Sequence, residues 1–133
     1  MVVETAVSNG KDTHHILYTI YPNGEVDMRV AFNNSSEETR RVGITMQFAP
    51  GFESVLYYAK GPRSNYIYRQ RGSLLGWYRT SVDKMFEEQS APQTMGDRQG
   101  LREMMLKNSG NGVGLNMKAV SYTHLTLPTT PYV

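Results

Sequence analysis

Cysteine is absent from the 133 residues. That removes disulfides, thiolate metal sites and cysteine nucleophiles together. It leaves the compartment open between cytoplasm and periplasm. Long apolar runs are also missing, and no stretch approaches the roughly 18 residues that a membrane helix needs. No signal peptide opens the chain. Met1 leads directly into Val2, Val3 and Glu4, which reads as the middle of a strand. Charge of one sign is scarce too. The formal net charge is +2, too small to argue for nucleic acid or an anionic membrane. Arg69 and Arg71 do lie near Tyr66, Tyr68, Trp77 and Tyr78, a mixture that can hold single strands. Carboxylates interrupt the charge elsewhere, so no nucleic-acid partner and no membrane partner is expected.

Catalytic patterns are equally thin. Glu87-Glu88 is a close carboxylate pair, but it falls in a loop-like segment and reads as two solvated charges. His14 and His15 are neighbours on an expected strand, so they point to opposite faces and cannot share one metal. No Gly-x-Ser-x-Gly elbow is present. Gly110-Asn111-Gly112-Val113-Gly114 contains Gly-x-Gly, but it joins two strands with no helix behind it, so it is a hairpin. The residues assemble no catalytic site, no metal site and no cofactor site.

What the sequence does hold is strands. With 39% hydrophobic and 20% charged residues, it has the composition of a folded domain. Its length allows one domain at most. His15 to Tyr21 is rich in Ile, Tyr and Thr, and Pro22-Asn23-Gly24 then signals a hairpin turn. From Glu25 to Phe32 the chain alternates, with Val26, Met28 and Val30 on one face. Arg41 to Ala49 is expected to be another strand, with Val42, Ile44, Met46 and Phe48 on one face and Pro50-Gly51 ending it. Ser54 to Lys60 sets Val55 and Tyr57 against Leu56 and Tyr58. Gly100 to Lys107 and Val113 to Lys118 flank a further hairpin. Gly61 to Gln99 reads as a long irregular loop with a helical turn or two within Ser81 to Glu88. The expected fold is all-β, an incomplete antiparallel sandwich carrying a long loop. Apolar Val, Met and Phe faces should stay exposed.

Two segments carry more specific information. One contains Gly61-Pro62-Arg63-Ser64-Asn65-Tyr66-Ile67-Tyr68-Arg69. The other contains Pro92-Gln93-Thr94-Met95-Gly96-Asp97-Arg98-Gln99-Gly100-Leu101-Arg102. Together they resemble the C-terminal, small-chain domain of family-two β-galactosidases. That pattern has Gly-Pro-x-Glu-Asn-Tyr-x-Asp-Arg, a long loop, then Pro-Gln-x-x-Gly-x-Arg. Gly61, Pro62, Asn65, Tyr66 and Arg69 match the first signature. Pro92, Gln93, Gly96, Arg98 and Arg102 match the second. Leu75 to Tyr78 and Val82 to Phe86 also resemble the loop between. Ser64 and Tyr68 depart from it, standing where the pattern has acids that hold the loop by ion pairs.

The resemblance implies a galactose-mutarotase-like supersandwich, and a catalytic Glu pair in a separate barrel domain with no counterpart here. The parent would hydrolyse terminal β-D-galactosides such as lactose, with Mg²⁺ or another divalent cation in the parent and none in this segment. The partners implied are the barrel, the other domains of the parent and a β-galactoside. The motif residues are expected to be mainly structural. Gly61-Pro62 sets a turn, Asn65 bonds loop backbone, and Arg69, Arg98 and Arg102 offer planar forks. Tyr66 and Trp77 are the sugar-facing candidates. Two rival readings are a stand-alone carbohydrate-binding module on Tyr66, Tyr68, Trp77 and Tyr78, and a mutarotase-like enzyme. The enzyme lacks a downstream partner for His14-His15.

The last residues read differently. Val120-Ser121-Tyr122-Thr123-His124-Leu125-Thr126-Leu127-Pro128-Thr129 resembles one translated frame of a transposase-type sequencing adapter. The chain is therefore expected to divide into 1–119, part of the sandwich domain, and 120–133, a non-native tail.

Overall fold

The computed structural model describes residues 1–8, 11–33, 43–88, 90 and 95–125, with side chains as far as 119. Seven strands account for most of these. In chain order they are β1 (Val2–Ser8), β2 (Thr13–Ile20), β3 (Val26–Ala31), β4 (Phe52–Gly61), β5 (Leu74–Ser81), β6 (Arg98–Asn108) and β7 (Gly114–Leu125). A 3-10 turn spans Asp83–Met85, and among the described residues there is no α-helix. The strands form two sheets, β1-β2-β3 and β5-β4-β6-β7. Every pairing is antiparallel. This is an all-β chain of two antiparallel sheets with no closed barrel, consistent with an incomplete β-sandwich.

The chain divides into two compact units, Met1–Met46 and Gln47–Val133. In the first, the Asn23-Gly24 turn does what its residues dictate. Gly24 sits at φ +86, and the Asn23 side-chain oxygen accepts the Glu25 N–H at 3.1 Å. Register then sorts the side chains. Tyr18 faces Val3 on one side and Met28 on the other, and Ile16 faces Thr5 and Val30. One face of this sheet is therefore mostly apolar and the other carries Glu4, His15, Asp27 and Arg29. No described residue of this unit is buried, and Val3, Val7 and Val26 are among its exposed apolar side chains.

The second unit holds the core. Val55, Tyr57 and Ala59 on β4 meet Met104 and Leu106 on β6, with Leu101 and Met85 completing the buried cluster. β4 alternates strictly from Ser54 onward, buried on one face and partly exposed on the other. The β6–β7 turn is organised by Asn108. Its side-chain oxygen accepts the N–H groups of Gly110 at 2.9 Å and Asn111 at 3.3 Å. Its amide donates to the carbonyl of Pro50 at 3.2 Å.

Two expectations need correction. The segment at 43–49 has no ladder partner and is not a strand. Ile44 and Met46 are about half exposed, and Val42 lies outside the described residues. A period-two pattern states that two faces differ, not that a partner strand is at hand. Conversely, the span from Gly61 to Gln99 is not one irregular loop, because β5 runs through it. Gly76 and the adjacent Leu74-Leu75 blur its alternation. The pattern emerges only against β4, where Tyr57 faces Tyr78 and Tyr58 faces Trp77. The helical turn expected within Ser81 to Glu88 is the 3-10 turn.

Candidate functional site

The two signature segments come together at one end of the four-stranded sheet. The connection after β4 and the start of β6 are locked by a single asparagine. Asn65 is fully buried. Its amide donates to the carbonyls of Lys60 at 2.9 Å and Arg63 at 3.0 Å. Its side-chain oxygen accepts the N–H of Gln99 at 2.8 Å, and its own N–H donates to the carbonyl of Asp97 at 2.9 Å. A loop without a ladder must satisfy its backbone by side chains, and Asn carries both donor and acceptor for that.

A second lock runs through Arg98. Its guanidinium donates to Glu87 at 2.9 Å, to the Tyr57 hydroxyl at 3.3 Å and to the Asp97 carbonyl at 3.3 Å. The Glu87 carboxylate also accepts from Ser64, from the N–H at 2.7 Å and the hydroxyl at 3.1 Å. The Tyr57 hydroxyl in turn donates to the carbonyl of Pro62 at 3.1 Å. Gln99 donates to the Asp97 carboxylate at 2.8 Å. Every charged group here has an internal partner, as burial requires.

Two glycines allow the close packing. Gly96 sits at φ +77, and a Cβ there would stand 2.6 Å from the carbonyl oxygen of Met85. At Gly61 a Cβ would stand 2.8 Å from the Tyr78 ring. Both are places where only hydrogen fits.

The motif residues thus have different fates. Gly61, Pro62, Asn65, Gly96 and Arg98 build the lock. Tyr66 is buried and exchanges backbone hydrogen bonds with Arg69. Burial, then the nearby Asp97 charge, pushes its hydroxyl pKa up from 10.0. Its ring stacks on Tyr68 at 5.7 Å and 9°. Arg69 and Arg102 are exposed, and Arg102 lies on β6 away from the lock. Pro92 and Gln93 lie outside the described residues. Of the sugar-facing candidates, Tyr66 keeps 7% of its surface while Trp77 keeps 50%. Tyr78 points with Tyr57 into the core face. The four aromatic residues proposed as one platform are therefore spread over a loop and both faces of the sheet.

Glu87 corrects the reading of Glu87-Glu88 as two solvated charges. Glu88 is exposed, but Glu87 is the hub between Ser64 and Arg98. Nothing local in the sequence marks it, because its partners are 23 and 11 residues away. Ser64, a departure from the family pattern, is not idle either, since it binds that carboxylate by two groups. His14 and His15 occupy successive positions on β2, and among the described residues no three His, Asp or Glu gather to hold a metal.

Two antiparallel sheets, one of them with signature segments hydrogen-bonded to each other, define an all-β chain consistent with an incomplete β-sandwich. The chain belongs to the beta galactosidase small chain family, whose model matches residues 1–132. It is 27% identical over 133 residues to a beta-galactosidase of Priestia megaterium, covering 98% of this chain and 13% of that protein. It is 30% identical over 115 residues to a beta-galactosidase of Lactococcus lactis subsp. lactis, covering 81% of this chain and 12% of that protein. For a beta-galactosidase of Streptococcus thermophilus the identity is 33% over 78 residues, or 57% of this chain and 8% of that protein. The chain therefore spans about an eighth of the length of the first two relatives.

Proposed function

We propose that this chain is a non-catalytic part of a β-galactosidase, a sandwich segment that packs beside the catalytic barrel. The parent would hydrolyse terminal β-D-galactosides such as lactose. One observation carries the reading. The two carboxylates of the lock, Glu87 and Asp97, are already occupied by internal donors. A glycosidase needs two carboxyls facing a sugar across open space, and this pair is committed to holding loops.

The test is an assay of the purified chain with a chromogenic β-galactoside. Turnover at the buffer rate is expected. Turnover above it that vanishes in Glu87→Gln would overturn the proposal. The coding DNA upstream should also continue into a barrel domain carrying the catalytic pair.

A further inference from the structure

Charge is nearly balanced over the whole chain but not over the face of the four-stranded sheet opposite the core. Register sorts that face into rows. Ser54 and Lys107 share one. Arg79, Leu56, Met105 and Asn116 form the next, then Trp77, Tyr58, Glu103 and Lys118, then Leu75 and Lys60. Lys60, Arg79, Lys107 and Lys118 thus stand against Glu103 alone. Among the described residues the ion pairs are Glu4 with His15 and Glu87 with Arg98, so no described carboxylate pairs with these cations. Lys60 is held by the Gln70 side chain, and Glu103 accepts the Asn116 amide at 2.9 Å. The middle of the face is apolar, with Trp77 keeping 50% of its surface and Met105 36%. A shallow cleft of about 460 Å³ opens there, lined by Leu56, Met105, Ser54, Arg79, Lys107 and Asn116.

An apolar centre inside a charged rim is the anatomy of a protein interface, and Trp, Tyr, Met and Arg are the residues enriched there. The sign of the rim selects the partner. Arg79 and Lys107 flank the apolar floor of the cleft, and an Arg fork matches a carboxylate. Lys60 and Lys118 extend the same field along the sheet. The complementary segment therefore carries an apolar side chain with carboxylates on either side of it. Nucleic acid fits less well. Trp77 and Tyr58 pack on each other, with centroids 5.3 Å apart and planes at 31°, and do not stand apart to receive bases. Glu103 beside them repels phosphate. We propose that this outer face docks an acidic segment of polypeptide, with an apolar side chain over Leu56 and Met105 and carboxylates on Arg79 and Lys107. No residue of the lock takes part.

The probe is a short fluorescein-labelled peptide alternating Glu and Leu, titrated with the whole chain and followed by anisotropy. The salt is held at about 0.15 M, where exposed charges more than about 8 Å apart are screened. Saturable binding is expected. Arg79→Glu and Lys107→Glu should each weaken it by about fivefold or more. Met105→Ser should weaken it severalfold. Arg71→Glu, an equal change of net charge on an exposed loop residue, should leave it unchanged. A peptide with Ser in place of Leu should bind more weakly, and one with Lys in place of Glu should not bind. Circular dichroism checks that each variant is folded. The absence of saturable binding overturns the proposal. An Arg71→Glu loss as large as that of Arg79→Glu also overturns it, because net charge alone would then explain the binding. So does tighter binding of a single-stranded oligothymidine, which would make the face a nucleic-acid site. None of these outcomes bears on turnover of a β-galactoside, which is assayed separately.

Discussion

Arg98 and Glu87 meet at 2.9 Å with the guanidinium side chain 2% exposed and the carboxylate 23% exposed. A pair this unequal in burial is asymmetric in its energetics. Removing Glu87 strands a buried cation, whereas removing Arg98 leaves a carboxylate that water can reach. Glu87→Ala should therefore destabilise by roughly 3 kcal/mol. Glu87→Gln, which keeps an acceptor for Ser64, should cost less. Urea unfolding followed by circular dichroism measures both. Equal midpoints for wild type and Glu87→Ala would remove the lock from the account.

Asn65→Ala breaks the other lock. It leaves the Gln99 N–H and the carbonyls of Lys60 and Arg63 without their partner, each at about 1–3 kcal/mol if water stays out. A large fall in melting temperature is expected, with Asn65→Asp close behind because it loses both donors. A loss no larger than that of an exposed control such as Arg102→Ala would contradict the geometry.

Glycine positions separate strain from collision. Gly72 has φ +85 and open space around it, while Gly96 has φ +77 and the Met85 carbonyl at 2.6 Å from a built Cβ. Gly72→Ala should cost about 1 kcal/mol through its backbone alone. Gly96→Ala should cost considerably more. Comparable melting temperatures would show that the second signature moves away freely.

Alkaline stability follows from Tyr66. Its folded pKa is raised above the ordinary 10.0 by burial and by Asp97. The native state then binds its proton more tightly than the unfolded chain does. The contribution is intact below about pH 10 and is lost as pH climbs through the folded pKa. Stability should fall above that pH, and Tyr66→Phe should flatten the fall. An unchanged slope in the variant would assign it to other groups.

The tail offers a cleaner experiment. β7 extends to Leu125 and pairs Thr123 with Leu101. If residues 120–133 are of adapter origin, they have no evolved fit to the core. A chain ending at Ala119 should then melt at the same temperature. A drop of several degrees would show that this pairing contributes.

Much of this fold was legible from residue patterns. Asn23-Gly24 and the Asn-rich run after Lys107 named their hairpins, because those turns demand particular backbone angles. The alternation of Val55 and Tyr57 against Leu56 and Tyr58 marked two faces of a strand, and only the folded sheet shows that the first pair is the buried one. The strand at Leu74–Ser81 was not legible, since its alternation has meaning only beside β4. The same holds for Glu87. A carboxylate in a polar segment looks solvated until the chain folds Ser64 and Arg98 around it. Motif matching found Asn65 and Arg98, but not the carboxylate that joins Arg98 to Ser64.

The position of Trp77 also decides how this protein can be watched. It is the chain's single tryptophan, and it sits half in water on the face away from the core. Its emission should already lie towards the red in the native state, and denaturant should shift it little. Excitation of Tyr58 beside it should instead pass to the indole and be lost when the strands part. The intensity of that transfer, not the wavelength of the peak, is the optical signature of an intact sheet.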